Sequence, residues 1–158
     1  LNNFLSPFYL NDKEIRKVIE LIFFSYRDFT VGPDKVLEKL QFGRAHHRVI
    51  YFVGKKNNIT IKELLGVLKI TKQSLSRVLN QLVKERYIIV STGIDKRTKN
   101  LLLTSKGIKL EKELSLIQIN KIKKVINTFS ENDINGFKNI LFEMIEDNNK
   151  KKFQQLNE

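Results

Sequence analysis

The chain has 158 residues, enough for one domain or a small domain with helical extensions, and its hydrophobic fraction of 41% is enough for a packed core. A net charge of +12 and a pI near 9.9 point to a polyanionic partner, nucleic acid ahead of an anionic membrane surface. The absence of cysteine excludes disulfides, thiolate metal sites and thiol-based redox sensing.

In chain order, residues 1–11 form a short arm with a turn at Ser6-Pro7. Asn11, with Glu14 three residues on, reads as a helix cap. Ile15, Val18, Ile19, Ile22, Tyr26 and Phe29 then form an apolar stripe, which predicts a helix over about 12–30. Leu21, Phe23 and Phe24 widen that stripe. The helix is therefore either wrapped on two sides or part of a subunit interface, and the interface is the favoured reading. Val31-Gly32-Pro33-Asp34 is expected to break the chain, with a second helix over about 34–56 softened near Gly43. No apolar run approaches the roughly 18 residues of a membrane span, and charged residues interrupt Ile15–Phe29. The N-terminus lacks a signal-peptide layout, so a cytoplasmic protein is expected. The chain begins at Leu1 and not Met, which suggests that residues precede it. Its Lys, Asn and Ile bias suggests an AT-rich genome.

Thr60 and Glu63 form a capping-box pattern ahead of a helix over about 61–68, with Ile61, Leu64, Leu65 and Leu68 inward. After a short turn at Lys69-Ile70, Thr71 caps the stretch TKQSLSRVLNQLVKER. Leu75, Val78, Leu79, Leu82 and Val83 have the spacing of a buried helical face. Gln73, Ser74, Ser76, Arg77, Asn80, Gln81 and Lys84 face outward, with no acid before Glu85. These are hydrogen-bonding groups of the kind that read base edges. Two helices joined by a short turn match helix-turn-helix geometry. The charge is concentrated here: Lys55 to Lys109 holds 13 basic and three acidic residues, net +10, whereas the rest of the chain holds 16 and 14.

Tyr87–Val90 and Lys99–Leu103 read as the strands of a hairpin whose basic tip carries Lys96, Arg97 and Lys99. Arg97 suits a narrow minor groove, with Asp95 able to orient its guanidinium. Thr104 caps a long helix over about 105–128. A last helix over about 131–147 turns Ile134, Phe137, Leu141, Met144 and Ile145 inward, and Asn148 to Glu158 reads as a frayed basic tail. These two helices carry more apolar surface than a small core can cover, which predicts an isologous homodimer. The fold class expected is mainly α: a winged helix-turn-helix with a small β-hairpin wing, flanked by N- and C-terminal dimerisation helices. The divisions are 1–33, 34–104 for the DNA-binding lobe, and 105–158.

Asp95-x-Arg97, followed by Leu101, Leu103-Thr104 and Gly107, resembles the wing-to-helix pattern D-x-R-x3-hydrophobic-x-L-T-x2-G of the MarR (multiple antibiotic resistance regulator) family. The element order extends the resemblance over nearly the whole chain. It implies a dimeric winged-helix transcription regulator that binds a pseudo-palindromic double-stranded DNA operator, one helix in the major groove and the wing in the minor groove. Many such proteins respond to small aromatic ligands. Carried over by position, Lys72, Gln73, Ser74, Ser76 and Arg77 open the recognition helix, Arg97 is the wing arginine and Asp95 its partner. Three positions depart from the pattern: Arg86 and Lys69 stand where Gly is common, and Val90 where an Arg often supports the wing Asp.

On this reading Lys55, Lys56, Lys72, Lys84, Lys96 and Lys99 contact phosphates, and Gln73, Ser74 and Arg77 read bases. The chain is expected to act as a repressor by promoter occlusion, released by ligand. Phe24, Tyr26 and Arg27, with His47 and Arg48 and their neighbours Arg44 and His46, are candidates for a pocket holding a small aromatic or anionic ligand; a ligand-free regulator is the alternative. The two histidines are adjacent and point about 100° apart, which does not suit one metal. No cofactor is called for, and no catalytic arrangement is evident. The rival function is a winged-helix protein–protein or RNA-binding module. RNA binders more often display exposed aromatics for stacking, and the recognition face has none.

Overall fold

The computed structural model describes residues 11–93 and 98–157. Seven helices and a three-stranded sheet make up this part: α1 (Asp12–Lys39), α2 (Arg44–Lys55), β1 (Ile59–Thr60), α3 (Ile61–Leu68), α4 (Lys72–Lys84), β2 (Ile88–Thr92), β3 (Lys99–Leu103), α5 (Ser105–Ile126), α6 (Glu131–Glu143) and α7 (Asp147–Gln155). The arm before Asn11 and the hairpin tip with Asp95, Lys96 and Arg97 lie outside the described residues.

The caps hold where the sequence places them. Asn11 Oδ1 accepts from the Glu14 amide at 3.1 Å, while the Glu14 carboxylate turns to Lys17. Thr60 and Glu63 exchange both bonds of a capping box, at 3.1 and 2.8 Å. Thr71 and Thr104 cap α4 and α5.

The break expected at 31–34 is absent. α1 continues through Pro33 to Lys39, so the division drawn between residues 33 and 34 falls inside a helix. An interior proline loses one backbone bond and crowds the preceding turn, a cost of about 3 kcal/mol. Packing offsets it here. Pro33 is buried, and a Cβ on Gly32 would stand 2.6 Å from Ile117 Cγ2 on α5. Gly-Pro is therefore a notch in which α5 sits. The stripe Phe29, Pro33, Val36, Leu37, Leu40 runs unbroken across it.

The real corner lies at Leu40–Gly43. The Gln41 amide bonds Glu38 O and the Phe42 amide bonds Leu37 O, with Gln41 at φ 55°. This is a Schellman ending without glycine. Gly43, expected mid-helix, is the N-cap of α2.

β1 was not anticipated. It adds to the hairpin in the order β1-β3-β2, all antiparallel, with Leu101 facing Ile59 on one side and Val90 on the other. Leu64, Leu75, Leu82, Ile88 and Leu101 pack with Leu37, Val49, Ile50 and Leu114 into one core.

The C-terminal end also differs from expectation. α6 stops at Glu143, and residues 147–155 form α7, with Lys150 bonded to Glu143 at 2.8 Å and the Phe142 and Phe153 rings 6.0 Å apart. No residue of α6 is buried. Phe137, Leu141 and Met144, expected inward, are exposed within the chain, as are Ile15, Ile19, Leu21 and Phe23 on α1.

Candidate nucleic-acid interface and ligand cleft

Lys72, Gln73, Ser74, Ser76 and Arg77 are all exposed on the first two turns of α4, opposite the buried Leu75, Val78, Leu79 and Leu82. The Ser74 hydroxyl accepts from Thr71 Oγ1 at 2.9 Å and keeps its own proton for another acceptor. Lys84 is exposed at the far end, and Lys99 at the start of β3 opposite Thr92. Lys55 is exposed, whereas Lys56 is tied to Glu63 at 2.8 Å. Gln81, read as outward, is half-buried and bonded to His46 and Glu85. Val83, read as inward, is 37% exposed.

The positions where glycine was missing resolve the same way. Lys69 takes φ 49° and Arg86 φ 62°. At Arg86 the helix ends in a Schellman motif, with the Arg86 amide on Val83 O and the Tyr87 amide on Leu82 O. The L-T-x2-G segment closes against it. The Thr104 hydroxyl donates to Arg86 O at 2.6 Å and its amide to Tyr87 O at 3.0 Å. A Cβ on Gly107 would collide with that same Tyr87 carbonyl, so only glycine lets α5 start this close. Lys106 lies 4.0 Å above the Tyr87 ring and bonds Glu85 O. The wing base, the end of α4 and the start of α5 are therefore one hydrogen-bonded unit.

Between α1, α2 and α5 lies a cleft of about 540 Å³. Tyr26, His47 and Arg48 line it; Phe24 and Arg27 do not. Arg27 instead pairs with Asp28 and lies 4.7 Å over the Phe24 ring. The sequence reading missed Phe29, Tyr51, Phe52 and the α5 wall of Ser115, Gln118, Ile119, Ile122 and Lys123. That wall has the spacing i, i+3, i+4, i+7, i+8, a face signal that was legible but had no partner assigned to it. Arg48 Nη2 donates to Tyr26 Oη at 3.0 Å, and Arg44 reaches both oxygens of Asp34, at 2.8 Å from Nη2 and 3.0 Å from Nε for the nearer one. Burial pushes the His47 imidazole below its ordinary pKa although Asp34 and Glu111 pull it upward, which favours the neutral ring. Aromatic walls with Arg44, Arg48 and Lys123 at the rim suit a flat anionic molecule. Among the described residues no three His, Asp or Glu side chains are grouped to hold a metal, and no helix is long and apolar enough to cross a membrane.

A capped helix, a tight turn, a basic second helix and a hairpin packed at its end define a winged helix-turn-helix protein. The MarR family model matches residues 40–97. PetP, an HTH-type transcriptional regulator of Rhodobacter capsulatus, is 38% identical over 149 residues, covering 94% of this chain and 90% of its own. The chain belongs to the MarR family. Its fold is also that of a MarR transcriptional regulator from Methanosarcina mazei, with a TM-score of 0.67 and 25% identity over 85% of this chain and 94% of that one. The S. aureus MepR–DNA complex shares it, with a TM-score of 0.65 and 21% identity over 79% and 93%.

Proposed function

We propose that this MarR-family regulator binds operator DNA as a homodimer and represses by occluding a promoter, and that a small anionic aromatic molecule in the cleft releases it. The observation that carries the DNA reading is the acid-free outer face of α4, where Lys72, Gln73, Ser74, Ser76 and Arg77 are exposed together. Its likeness to a protein solved with DNA supports the same reading. Residues 34–104 act as the DNA-binding lobe; the first half of α1, with α5, α6 and α7, supplies the dimer contacts.

Two copies of α4 related by a two-fold axis enter successive major grooves roughly 10 base pairs apart. Gln73, Ser74 and Arg77 read base edges. Lys55, Lys72, Lys84 and Lys99 take phosphates, and Lys56 does so on leaving Glu63. The wing residues Asp95, Lys96 and Arg97 are assigned to the minor groove, with Arg97 as the reading residue. The exposed apolar residues of α1 and α6 support the dimer, since patches of this kind mark association surfaces. The aromatic walls and the three cations of the cleft support the ligand class. Filling the cleft shifts the population toward a spacing of the two lobes that no longer fits the operator.

Binding to random duplex, single strand and RNA across a salt series tests the reading. Neutralising about six to eight phosphates gives a steep loss of duplex affinity with salt. Equal affinity for single strand or RNA would sink it in favour of a different winged-helix module. Arg97→Ala is expected to weaken duplex binding with the dimer intact in sedimentation; unchanged binding removes the wing from the mechanism.

A further inference from the structure

The first turns of α2 face two ways. Toward α1, Arg44 is clamped by Asp34 and Arg48 by Tyr26, and both arginines line the cleft. On another side of the same helix, His46 reaches α4. Its Nδ1 accepts from the Gly43 amide at 3.1 Å, and its Nε2 lies 2.9 Å from Gln81 Oε1. Because Nδ1 is an acceptor, the ring proton sits on Nε2 and is donated to Gln81. The Gln81 side-chain amide then donates to Glu85 Oε1 at 3.1 Å and to the Gln41 carbonyl at 3.5 Å. The His46 ring stacks on Phe42 at 4.7 Å, and Phe42 meets Tyr87 edge-on at 5.2 Å. The corner between α1 and α2 is thus tied to the second half of α4 by directional bonds and to its end by an aromatic stack.

We propose that the His46–Gln81 bond is the joint through which release of the α1 clamp on α2 reorients α4, making His46 and Gln81 positioning residues for operator recognition. The inference rests on the reading of α4 as the DNA helix and of the cleft as the ligand site. An anion entering the cleft competes with Asp34 for Arg44 and with Tyr26 for Arg48. That loosens the α1 side of α2 and leaves the α4 side attached. A half-buried hydrogen bond tolerates little change of distance or angle, so it carries the movement into α4.

The test is a double-mutant cycle on operator affinity, using a duplex selected by the wild-type chain from a random library. Asp34→Asn frees Arg44 and stands in for ligand. Gln81→Met keeps the length of the side chain and removes its bonds. Asp34→Asn is expected to weaken operator binding about tenfold in the wild-type background, a coupling of ordinary allosteric size, and to have little effect in Gln81→Met. His46→Asn keeps an acceptor for the Gly43 amide but is too short to reach Gln81, so it should abolish the Asp34→Asn effect in the same way. The same tenfold factor in all three backgrounds overturns the joint while leaving DNA reading intact. A wild-type chain that selects no duplex overturns the DNA reading and the joint with it.

Discussion

The winged lobe and the two helical ends contain apolar stripes of the same kind and treat them in opposite ways. In the lobe, Leu64, Leu75, Leu82, Ile88 and Leu101 are excluded from solvent by the same chain. At the ends, Leu21 on α1 is 67% exposed and Ile140 on α6 is 63% exposed. α5 belongs to both regions: Leu110 and Leu114 close the lobe, while Leu116, Ile119 and Val125 remain open farther along. An amphipathic period says that a face is to be covered; it does not say by which chain.

The largest expected effect separates the two regions directly. Leu82→Ala should lower the unfolding free energy by about 2–5 kcal/mol in denaturant at fixed protein concentration, because it opens a cavity in a closed core. Ile140→Asp should leave the lobe folded and shift sedimentation toward the monomer on dilution. If Leu82→Ala instead caused only dissociation, or Ile140→Asp melted the lobe, the contrast would fail. Next in size is Gly107→Ala. The added methyl meets the Tyr87 carbonyl that also receives the Thr104 amide, so thermal and chemical unfolding should show a loss of about 1–3 kcal/mol. A neutral result would mean that α5 can retreat from the end of α4.

Arg86→Gly runs the other way. A non-glycine residue in the left-handed region costs about 1–2 kcal/mol, part of which glycine returns through its greater freedom in the unfolded chain. A net gain of about 0.5–1 kcal/mol in denaturant midpoints is expected, and a loss would show that the Arg86 side chain contributes more than its backbone costs. The smallest effect is electrostatic. The Glu63 carboxyl is lowered to about 2, first by the Lys56 ammonium and then by the Thr60 amide. A carboxyl lowered in the folded state adds stability above its ordinary value of 4.5, and that stability drains away as pH falls from there toward 2. Lys56 and Glu63 are 46% and 44% exposed, so the loss should be only about a few tenths of a kcal/mol. Glu63→Gln should remove that part of the pH dependence; an unchanged profile would assign it elsewhere. His47, lowered by burial, adds a separate loss that begins as pH drops below 6.5.

The legibility of each part follows from the range of the forces involved. Caps at Thr60, Thr71 and Thr104, the extents of α3 and α4, the hairpin and the exposed opening of α4 were readable because each depends on residues within about one helical turn or one strand pair. Gly32-Pro33 misled because local propensity reads it as a stop, and only α5 lying in the notch makes the helix worth continuing. β1 was too short to carry a period of its own. Of the cleft, Tyr26, Arg44, His47 and Arg48 on α1 and α2 were legible; the α5 wall was not, because a helix face bears no mark of which cavity it lines. Gln81 looked outward and is half-buried, bonded to His46 on α2, a partner that nothing local reveals.

The sequence by itself determined the class of the protein. A run of +10, a capped helix-turn-helix and the D-x-R to L-T-x2-G pattern are local chemistry, and local chemistry is written in adjacent residues. Tertiary structure alone decided the rest. It set the length of α1 through Pro33, the left-handed turns at Gln41, Lys69 and Arg86, the reason for Gly107, and the bond from His46 to Gln81. For Pro33, Gly107 and the His46–Gln81 bond, a local cost is balanced against packing or a hydrogen bond supplied by a distant segment, and that balance exists only once the distant segment has arrived.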